Sequence, residues 1–157
     1  MDLRLRPLRE DEFDDYVTRG RASNARDMID QGGIPEQAAR AKAERDWQNL
    51  LPEGLSSPGQ YLFALEDTAS GERVGDLWLA ERDSDLGKGA FIYSIEVFEA
   101  FRGRGFGRQA MLLLEDEVRA QGLSRVALNV FGGNDVARSL YRSVGYSETA
   151  VFMSKEL

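Results

Sequence analysis

Hydrophobic residues recur along the chain with periods that predict a mixture of strands and helices. Leu3 and Leu5 alternate with polar neighbours, a pattern typical of a short first strand. Two helices are predicted next, over residues 10–20 and 35–51, because apolar side chains recur at helical spacing in the first and a proline opens the second. A loop rich in proline, glycine and serine follows over residues 52–60.

The rest of the chain predicts a sheet with helices between its later strands. Residues 61–66 and 73–80 are expected to form an antiparallel hairpin, and the nearly continuous apolar run 91–97 predicts a central strand that is buried on both faces. A helix, a strand, a helix capped by Asn134 and a last strand over residues 146–153 complete the order. This order of elements predicts an α/β fold.

Composition narrows the class of protein. The 157 residues suit one domain, which we expect to span residues 1–157. The sequence contains no Cys and no His, which excludes disulfides, a cysteine nucleophile, a Ser-His-Asp triad and the common zinc sites. We therefore expect no metal, and acid–base chemistry would come from carboxylates, Tyr or Lys.

Charge and hydropathy add expectations about partners and location. The chain has 20 Lys+Arg against 27 Asp+Glu, a net charge of −7, which disfavours nucleic acid as a partner. No apolar run approaches the roughly 20 residues that cross a membrane, and the first residues lack the apolar core of a signal peptide. We expect no membrane partner and a cytoplasmic location.

A glycine-rich segment, residues 102–107 with the sequence Arg-Gly-Arg-Gly-Phe-Gly, separates the central strand from the next predicted helix. Glycines let the backbone approach an anion closely, and the free N–H groups of a helix N-terminus bind it. The G-x-G-x-x-G dinucleotide fingerprint is excluded, because Arg108 stands where its third glycine would be. The G-x-x-x-x-G-K-[ST] phosphate loop is also absent. The segment has the pattern [Arg/Gln]-x-x-Gly-x-[Gly/Ala].

This loop and a second block downstream resemble the GCN5-related N-acetyltransferase (GNAT) family. Residues 95–97, Ile-Glu-Val, look like the family's fourth strand, and the loop 102–107 follows them. An N-x-x-A-x-x-L-Y-x-x-x-G-Y block that starts at Asn134 matches the family's downstream helix. The resemblance covers about residues 61–153. It implies a single-domain fold with a central mixed, mostly antiparallel sheet flanked by helices, in which the fourth strand splays from the next one.

The resemblance also implies acetyl-coenzyme A (acetyl-CoA) as the acyl donor. In the family, the N–H groups of the loop hold the pyrophosphate, and the backbone of the splayed strand pairs with the pantetheine amides. The residues that the resemblance implies for binding this cosubstrate are Ile95, Val97, Arg102, Gly103, Arg104, Gly105, Phe106, Gly107, Arg108, Asn134 and Ala137.

The arginines at the loop leave two interpretations open. Arg102, Arg104 and Arg108 form a local basic cluster in an acidic chain, which suits phosphate groups. They are equally explained as solvated charges at the start of a helix. Of the three, Arg104 and Arg108 are the favoured phosphate contacts.

Glu96 interrupts the apolar run of the central strand, where an unpaired buried carboxylate is costly. Alternation places it on the face of Ser94 and Ile92, opposite Tyr93. One interpretation is a general base that acts through water on an incoming ammonium. The other is a structural carboxylate paired with arginine. Some family members instead carry Glu on the following strand, where this chain has Asn129, so the identity of the base stays open.

Tyr141 lies in the downstream block, where its family counterpart donates a proton to the departing thiolate. Its helical spacing with Leu140 and Val144 is also typical of a residue that merely packs in a core. The adjoining Asn134 block favours the catalytic interpretation. Asn134 itself either caps the helix, contacts the cosubstrate, or does both.

The sequence therefore predicts an N-acetyltransferase that moves an acetyl group from acetyl-CoA to a primary amine. Direct attack is expected, because the usual nucleophiles of a ping-pong route, Cys and His, do not occur in the sequence. Two alternatives stay open: a CoA-binding sensor or regulatory module without catalysis, and a transferase of another acyl group. The apolar stretch 151–153 further suggests a homodimer through strand pairing, and no feature of the sequence identifies the acceptor.

Overall fold

A five-stranded sheet forms the centre of the computed structural model, which describes residues 2–157. Four α-helices flank the sheet in the described chain, and no helix within it is apolar over enough length to span a membrane. The elements in chain order are β1 (Leu3–Pro7), α1 (Glu10–Asp30), α2 (Glu36–Leu50), β2 (Gln60–Asp67), β3 (Arg73–Ser84), β4 (Gly87–Val97), α3 (Phe106–Ala120), β5 (Val126–Leu128) and α4 (Asp135–Ser143).

The strands lie in the order β1-β2-β3-β4-β5. The pairs from β1 to β4 are antiparallel and β4 runs parallel to β5, so the predicted single-domain α/β fold with a mixed, mostly antiparallel sheet is confirmed. β4 pairs with β3 as far as Val97 but with β5 only from Ala90 to Ile92. Beyond Ile92 the two strands part, which is the splay that the resemblance implies.

Each face of the sheet carries its own hydrophobic layer. α3 packs on one face, where Leu77, Leu79 and Met111 are fully buried. α1 and α2 cover the other face, where the rings of Tyr16, Trp47 and Trp78 form a cluster with successive centroids 5.5 and 4.9 Å apart. Burying side chains of this size removes a large apolar area from water, which is the main force holding both layers together.

α1 is ten residues longer than the sequence predicts, since it continues past Gly20 to Asp30. Gly20 suggests a helix end, but its actual function is packing: a β-carbon there would lie only 2.0 Å from Cη2 of Trp47. The glycine lets α1 and α2 cross in close contact. The extra turns carry Asp27 toward the open edge of β4.

A bulge in β4 changes which side chains share a face. The register shifts between Trp78 and Leu79 on β3, so that these residues pair with Ser94 and Ile92 and leave Tyr93 as an extra residue. Tyr93 therefore packs against Trp78 on the α1 face, with ring centroids 4.9 Å apart, while Ile92 joins the core on the α3 face. The predicted placement of Ile92 and Tyr93 is wrong, because strict alternation fails where a residue is inserted.

The predicted last strand, residues 146–153, is wrong as well. Within the described chain this segment pairs with no strand, and Val151, Phe152 and Met153 are 70%, 95% and 86% exposed. An apolar alternation becomes a strand only if a neighbouring edge offers hydrogen bonds, and β5 at the sheet edge is three residues long. Pairing of this segment in a homodimer stays a prediction.

Glu12 connects β1 to the first turn of α1. Its carboxylate accepts a hydrogen bond from Nη2 of Arg6 at 2.8 Å and one from the backbone N–H of Arg9 at 2.9 Å. The Arg6 guanidinium is the main cause that lowers the pKa of Glu12 from 4.5 to about 2. A carboxyl group whose pKa falls on folding stabilises the protein above its unfolded pKa and loses this contribution as pH falls through its folded pKa.

We therefore expect Glu12→Gln to lower the free energy of unfolding at pH 7 by about 2 kcal/mol. The difference from the original protein should fall to about 0.4 kcal/mol near pH 2, where the carboxyl group is protonated in the unfolded state and half protonated in the folded state. Urea unfolding at both pH values measures this. Asp14→Asn, an exposed neighbour on α1, is the control and should have no effect at either pH. A Glu12→Gln difference that persists undiminished at pH 2 would contradict the electrostatic explanation.

Candidate active site

The glycine-rich loop presents a row of free N–H groups. Gly103 and Gly105 adopt positive φ angles of 75° and 80°, and Gly105 is the N-cap of α3. These left-handed conformations, which glycine adopts without steric cost, turn consecutive N–H groups toward the same side. In the described chain the N–H groups of residues 103–108 donate to neither a backbone nor a side-chain acceptor. The first intrahelical bond runs from Gln109 N–H to the Gly105 carbonyl.

This row fits a diphosphate. Six consecutive donors have no acceptor in the described chain, and a β-carbon built at Gly103 or Gly105 meets nothing within 4 Å, so the space beside the loop is open. The positive end of the α3 dipole lies at the same place and favours negative charge. Phe106 follows as the first residue of α3 and buries its ring in the core, which anchors the loop.

The three arginines of the loop are exposed and each contacts the protein. Arg102 donates from Nε to the Val97 carbonyl at 3.0 Å, and Arg104 donates to the Ala100 carbonyl at 3.3 Å. Arg108 reaches across to the end of α4 and bonds the Ser143 carbonyl at 3.2 Å. All three are therefore partly engaged, and each is close enough to the loop to turn toward a bound anion. Whether they do so stays a prediction.

The open edge of β4 lies next to this loop. The N–H of Phe98 bonds the Val74 carbonyl on β3 at 2.8 Å, and hydrogen-bonding direction alternates along an antiparallel strand. The backbone groups of Val97 and Ile95 therefore point away from β3, to the side where β5 has already parted. Arg102 satisfies the Val97 carbonyl there. The structure thus leaves the Val97 N–H and the backbone groups of Ile95 free at the place where the resemblance puts pantetheine, while the Val97 carbonyl is taken by Arg102.

Glu96 lies on the α1 face of the same stretch. Its side chain keeps 23% exposure, and Nη2 of Arg102 approaches its Oε1 to 3.8 Å, a loose ion pair. Burial is the main cause that raises the pKa of Glu96. Arg102 and Arg19 lower this pKa, whereas the carboxylates of Asp76 and Asp27 raise it. A partly exposed carboxylate whose pKa is raised toward neutrality is a better base than an ordinary glutamate.

α4 carries the downstream block. The Asn134 side chain accepts a hydrogen bond from the Ala137 N–H at 3.2 Å, which confirms the predicted cap and leaves the Ala137 N–H satisfied within the protein. Tyr141 packs on the α3 layer and is only partly exposed. Burial and then the charge of Asp27 raise its pKa, so the hydroxyl keeps its proton at neutral pH. This phenol is therefore able to donate a proton.

The sequence model of the acetyltransferase (GNAT) family matches residues 21–146, most of the chain and all of the elements just described except β1 and part of α1. The chain belongs to the GNAT family. YdgE and YycN, two uncharacterized N-acetyltransferases of Bacillus subtilis strain 168, are 35% and 32% identical to it over 157 residues. These alignments cover all of this chain and 99% and 100% of the two relatives.

Solved GNAT structures share the fold. The crystal structure of YycN superposes with a TM-score of 0.90 and 33% identity, covering 99% of this chain and 98% of the other. A predicted acetyltransferase from Clostridium acetobutylicum, solved with acetyl-CoA, has a TM-score of 0.68 at 16% identity and covers 98% and 96%. The chain is thus an acetyltransferase of the GNAT fold, in which β4 is the splayed strand and α3 follows the glycine-rich loop.

Two acidic residues of this GNAT site were missed by the sequence analysis. Asp27 comes to the site only because α1 is long, and its charge raises the pKa of both Glu96 and Tyr141. Just after α1, the chain passes close to the loop before α4: a β-carbon at Gly32 would lie 2.9 Å from the ring of Phe131. No local signal indicates this contact. Asp76 had a signal, since it is a charged residue within the buried run of β3.

Proposed function

We propose that the protein transfers an acetyl group from acetyl-CoA to a primary amine by direct attack, within one domain that spans residues 1–157. The observation that carries the proposal is the row of six free N–H groups at residues 103–108, which lies directly beside the open edge of β4. One surface thus combines a proposed diphosphate site, backbone groups that can pair with the pantetheine amides, and a carboxylate near the point where the pantetheine arm would end.

On the donor side, the loop N–H groups bind the diphosphate, and the free backbone groups of Ile95 and Val97 pair with the pantetheine amides. When bound, acetyl-CoA supplies an activated acetyl group and a thiolate as leaving group. A free N–H of β4 that points at the thioester carbonyl oxygen stabilises the negative charge that develops on it. The acetyl-CoA in the structure of the Clostridium acetobutylicum protein, which shares the fold, supports this donor.

On the acceptor side, Glu96 takes a proton from the ammonium, directly or through one water. The neutral amine then has a lone pair that forms the new C–N bond while the C–S bond breaks. Tyr141 gives its proton to the departing sulfur, and its raised pKa keeps that proton available. The attacking nitrogen loses its second proton as the amide forms, and this proton returns through water to the tyrosinate. A covalent acetyl-enzyme has no Cys or His to carry it, which favours direct attack.

A thiol-release assay tests the proposal as a whole. The protein is mixed with acetyl-CoA and a panel of primary amines: polyamines, aminoglycosides, amino acids and peptide N-termini. We expect release of free CoA that depends on at least one amine, with the acetylated product detected by mass spectrometry. Binding of acetyl-CoA without release in any mixture would favour the sensor module, and faster release from a longer acyl-CoA would favour a different acyl transferase.

Glu96→Gln tests the base. We expect a loss of about 10²-fold in kcat/KM for the acceptor, with unchanged affinity for acetyl-CoA. Because the free carboxylate is the active form and its pKa is raised above 4.5, the rate of the original protein should fall on the acid side as Glu96 gains a proton. This acidic limb should be absent in the variant.

Glu99→Gln is the matched control for this change. Glu99 is exposed in the same connection between β4 and α3, so its substitution removes an equal charge nearby without touching the strand. We expect it to leave both the rate and the acidic limb unchanged. A Glu96→Gln variant that keeps its rate and its acidic limb would assign proton removal to water or to the substrate itself.

A further inference from the structure

A second carboxylate lies directly beside Glu96, buried in the sheet. Asp76 on β3 is the register partner of Glu96 on β4, and the two side chains lie on the same face, under α1. Residues directly opposite each other on antiparallel strands have their Cβ atoms about 5 Å apart. Asp76 is only 4% exposed, whereas Glu96 reaches the opening. The pair therefore consists of one inner and one outer carboxylate.

Arg73 holds the inner carboxylate in place. Its Nε donates to Oδ1 of Asp76 at 2.7 Å, and its side chain is only 15% exposed. The guanidinium also lies 3.7 Å from the carboxylate of Asp15 on α1, so the arginine connects β3 to the helix above it. Burial is the main cause that raises the pKa of Asp76, and the bonded guanidinium of Arg73 opposes this by favouring the charged carboxylate.

The surroundings of this pair are polar and incompletely bonded. In the described chain, the hydroxyl of Tyr16 and Nη2 of Arg73 are buried without a hydrogen-bond partner. Tyr16 is 1% exposed, and burial is the main cause that raises its pKa, to which the charges of Asp76 and Glu96 add. A buried polar group without a partner lowers stability by about 1–3 kcal/mol. Such a cluster in the middle of a sheet indicates a function other than stability.

We propose that Asp76 is a positioning residue that acts through Glu96: Arg73 fixes its buried charge behind the outer carboxylate, which makes Glu96 readier to accept the acceptor's proton. The inference rests on the proposed function only for its consequence in catalysis, since the coupling of the two carboxylates exists without substrate. Four charged groups face Glu96: Arg102 from the loop, Asp76 from β3, and Arg19 and Asp27 from α1. Among the two that favour its protonated form, Asp76 has the larger effect.

The coupling is tested first without any activity. Glu96 is titrated by carboxyl NMR in the free protein, and the Asp76→Asn variant is compared with the original. We expect the Glu96 titration to move to lower pH by about one unit, because a like charge at this separation disfavours the anion by that amount. An unmoved titration would overturn the proposal.

Two further variants test whether misfolding or a general loosening of the sheet explains the shift. Asp76→Asn leaves Arg73 without its closest partner and is therefore at risk of misfolding. The double variant Arg73→Gln/Asp76→Asn removes both charges and should show a smaller downward shift, because the lost guanidinium charge opposes the lost carboxylate charge. Glu66→Gln is the matched control: Glu66 is 6% exposed, is bonded by Arg4 and Arg6, and lies on β2 away from the site. An equal shift in Glu66→Gln would assign the effect to a general loosening of the sheet and overturn the proposal.

The pH–rate profile then tests the catalytic consequence. We expect Asp76→Asn to move the acidic limb of kcat/KM to lower pH and to lower the plateau of kcat severalfold, because a weaker base accepts the proton less readily. KM for acetyl-CoA should stay unchanged. In a Glu96→Gln background the same substitution should have no effect on the profile. A shifted NMR titration with an unshifted rate profile would overturn Glu96 as the base, and with it the catalytic part of this inference, while the coupling itself would stand.

Discussion

Acetyl-CoA binding is expected to be lost in Gly105→Val, by more than about 10²-fold in affinity, since one phosphate-binding loop supplies several charge-assisted hydrogen bonds. Gly105 adopts φ +80° at the N-cap of α3. Valine is strained at that angle, and its branched side chain would occupy the open space beside the loop where we propose that the diphosphate binds. The strain would turn the free N–H groups away from the diphosphate, and the side chain would block the space that the diphosphate needs. Isothermal titration calorimetry with acetyl-CoA measures the loss.

The matched control is Gly71→Val. Gly71 has φ +74° in the turn between β2 and β3, and a β-carbon there also meets nothing within 4 Å. The two variants therefore carry about the same backbone strain, of order 1–3 kcal/mol, and should have similar melting temperatures. Gly71→Val should bind acetyl-CoA with the original affinity. If Gly105→Val does so too, the loop is not the diphosphate site.

Tyr141→Phe is expected to lower kcat by about 10²–10⁴-fold, the usual range for the loss of a general acid. The phenol is kept protonated because burial and the charge of Asp27 raise its pKa. The ring, which packs on the α3 layer, remains in the variant, so affinity for acetyl-CoA and stability should change little. Pre-steady-state measurement of CoA release separates this chemical step from product release.

Tyr146→Phe provides the comparison for this second experiment. The centroid of the Tyr146 ring lies 6.2 Å from that of Tyr141, and burial also raises the pKa of Tyr146. Tyr146 follows α4, however, and is not the proposed general acid. We expect its variant to keep kcat within about twofold. Equal losses in both variants would assign the effect to packing of α4, and full activity of Tyr141→Phe would make Tyr141 a packing residue.

The parts of the site that the sequence predicts are those with a local cause. The loop at residues 102–107 is identified by glycine spacing, because positive φ and free N–H groups are properties of a few consecutive residues. The cap by Asn134 depends on a side chain and an N–H three residues apart, and the structure contains that bond. The apolar run 91–97 correctly predicts a strand, but the predicted burial on both faces is wrong: within the run only Ile92 is buried, because β5 pairs with β4 no further than Ile92.

What the sequence does not predict depends on contacts between distant residues. The length of α1 follows from how Gly20 fits against Trp47, 27 positions away, and a glycine alone suggests the opposite. The bulge at Tyr93 depends on the partner strand and changes which residues face Glu96. The pairing of Asp76 with Glu96 depends on the register between β3 and β4, which no local pattern specifies. The exposed segment 146–153 shows the converse case, in which a local pattern lacks the distant partner that it needs.

Gly107 differs from the two other glycines of the loop. Its φ angle is not positive, and a β-carbon at this position would lie 3.2 Å from Cδ2 of Leu140 on α4. The residue is therefore limited by volume, whereas Gly103 and Gly105 are limited by backbone conformation. The loop and the helix that carries Tyr141 meet at this contact, so each constrains substitutions in the other. Among diverging relatives, we expect a residue larger than glycine at position 107 to occur together with a residue smaller than leucine at position 140. These two positions are therefore expected to covary.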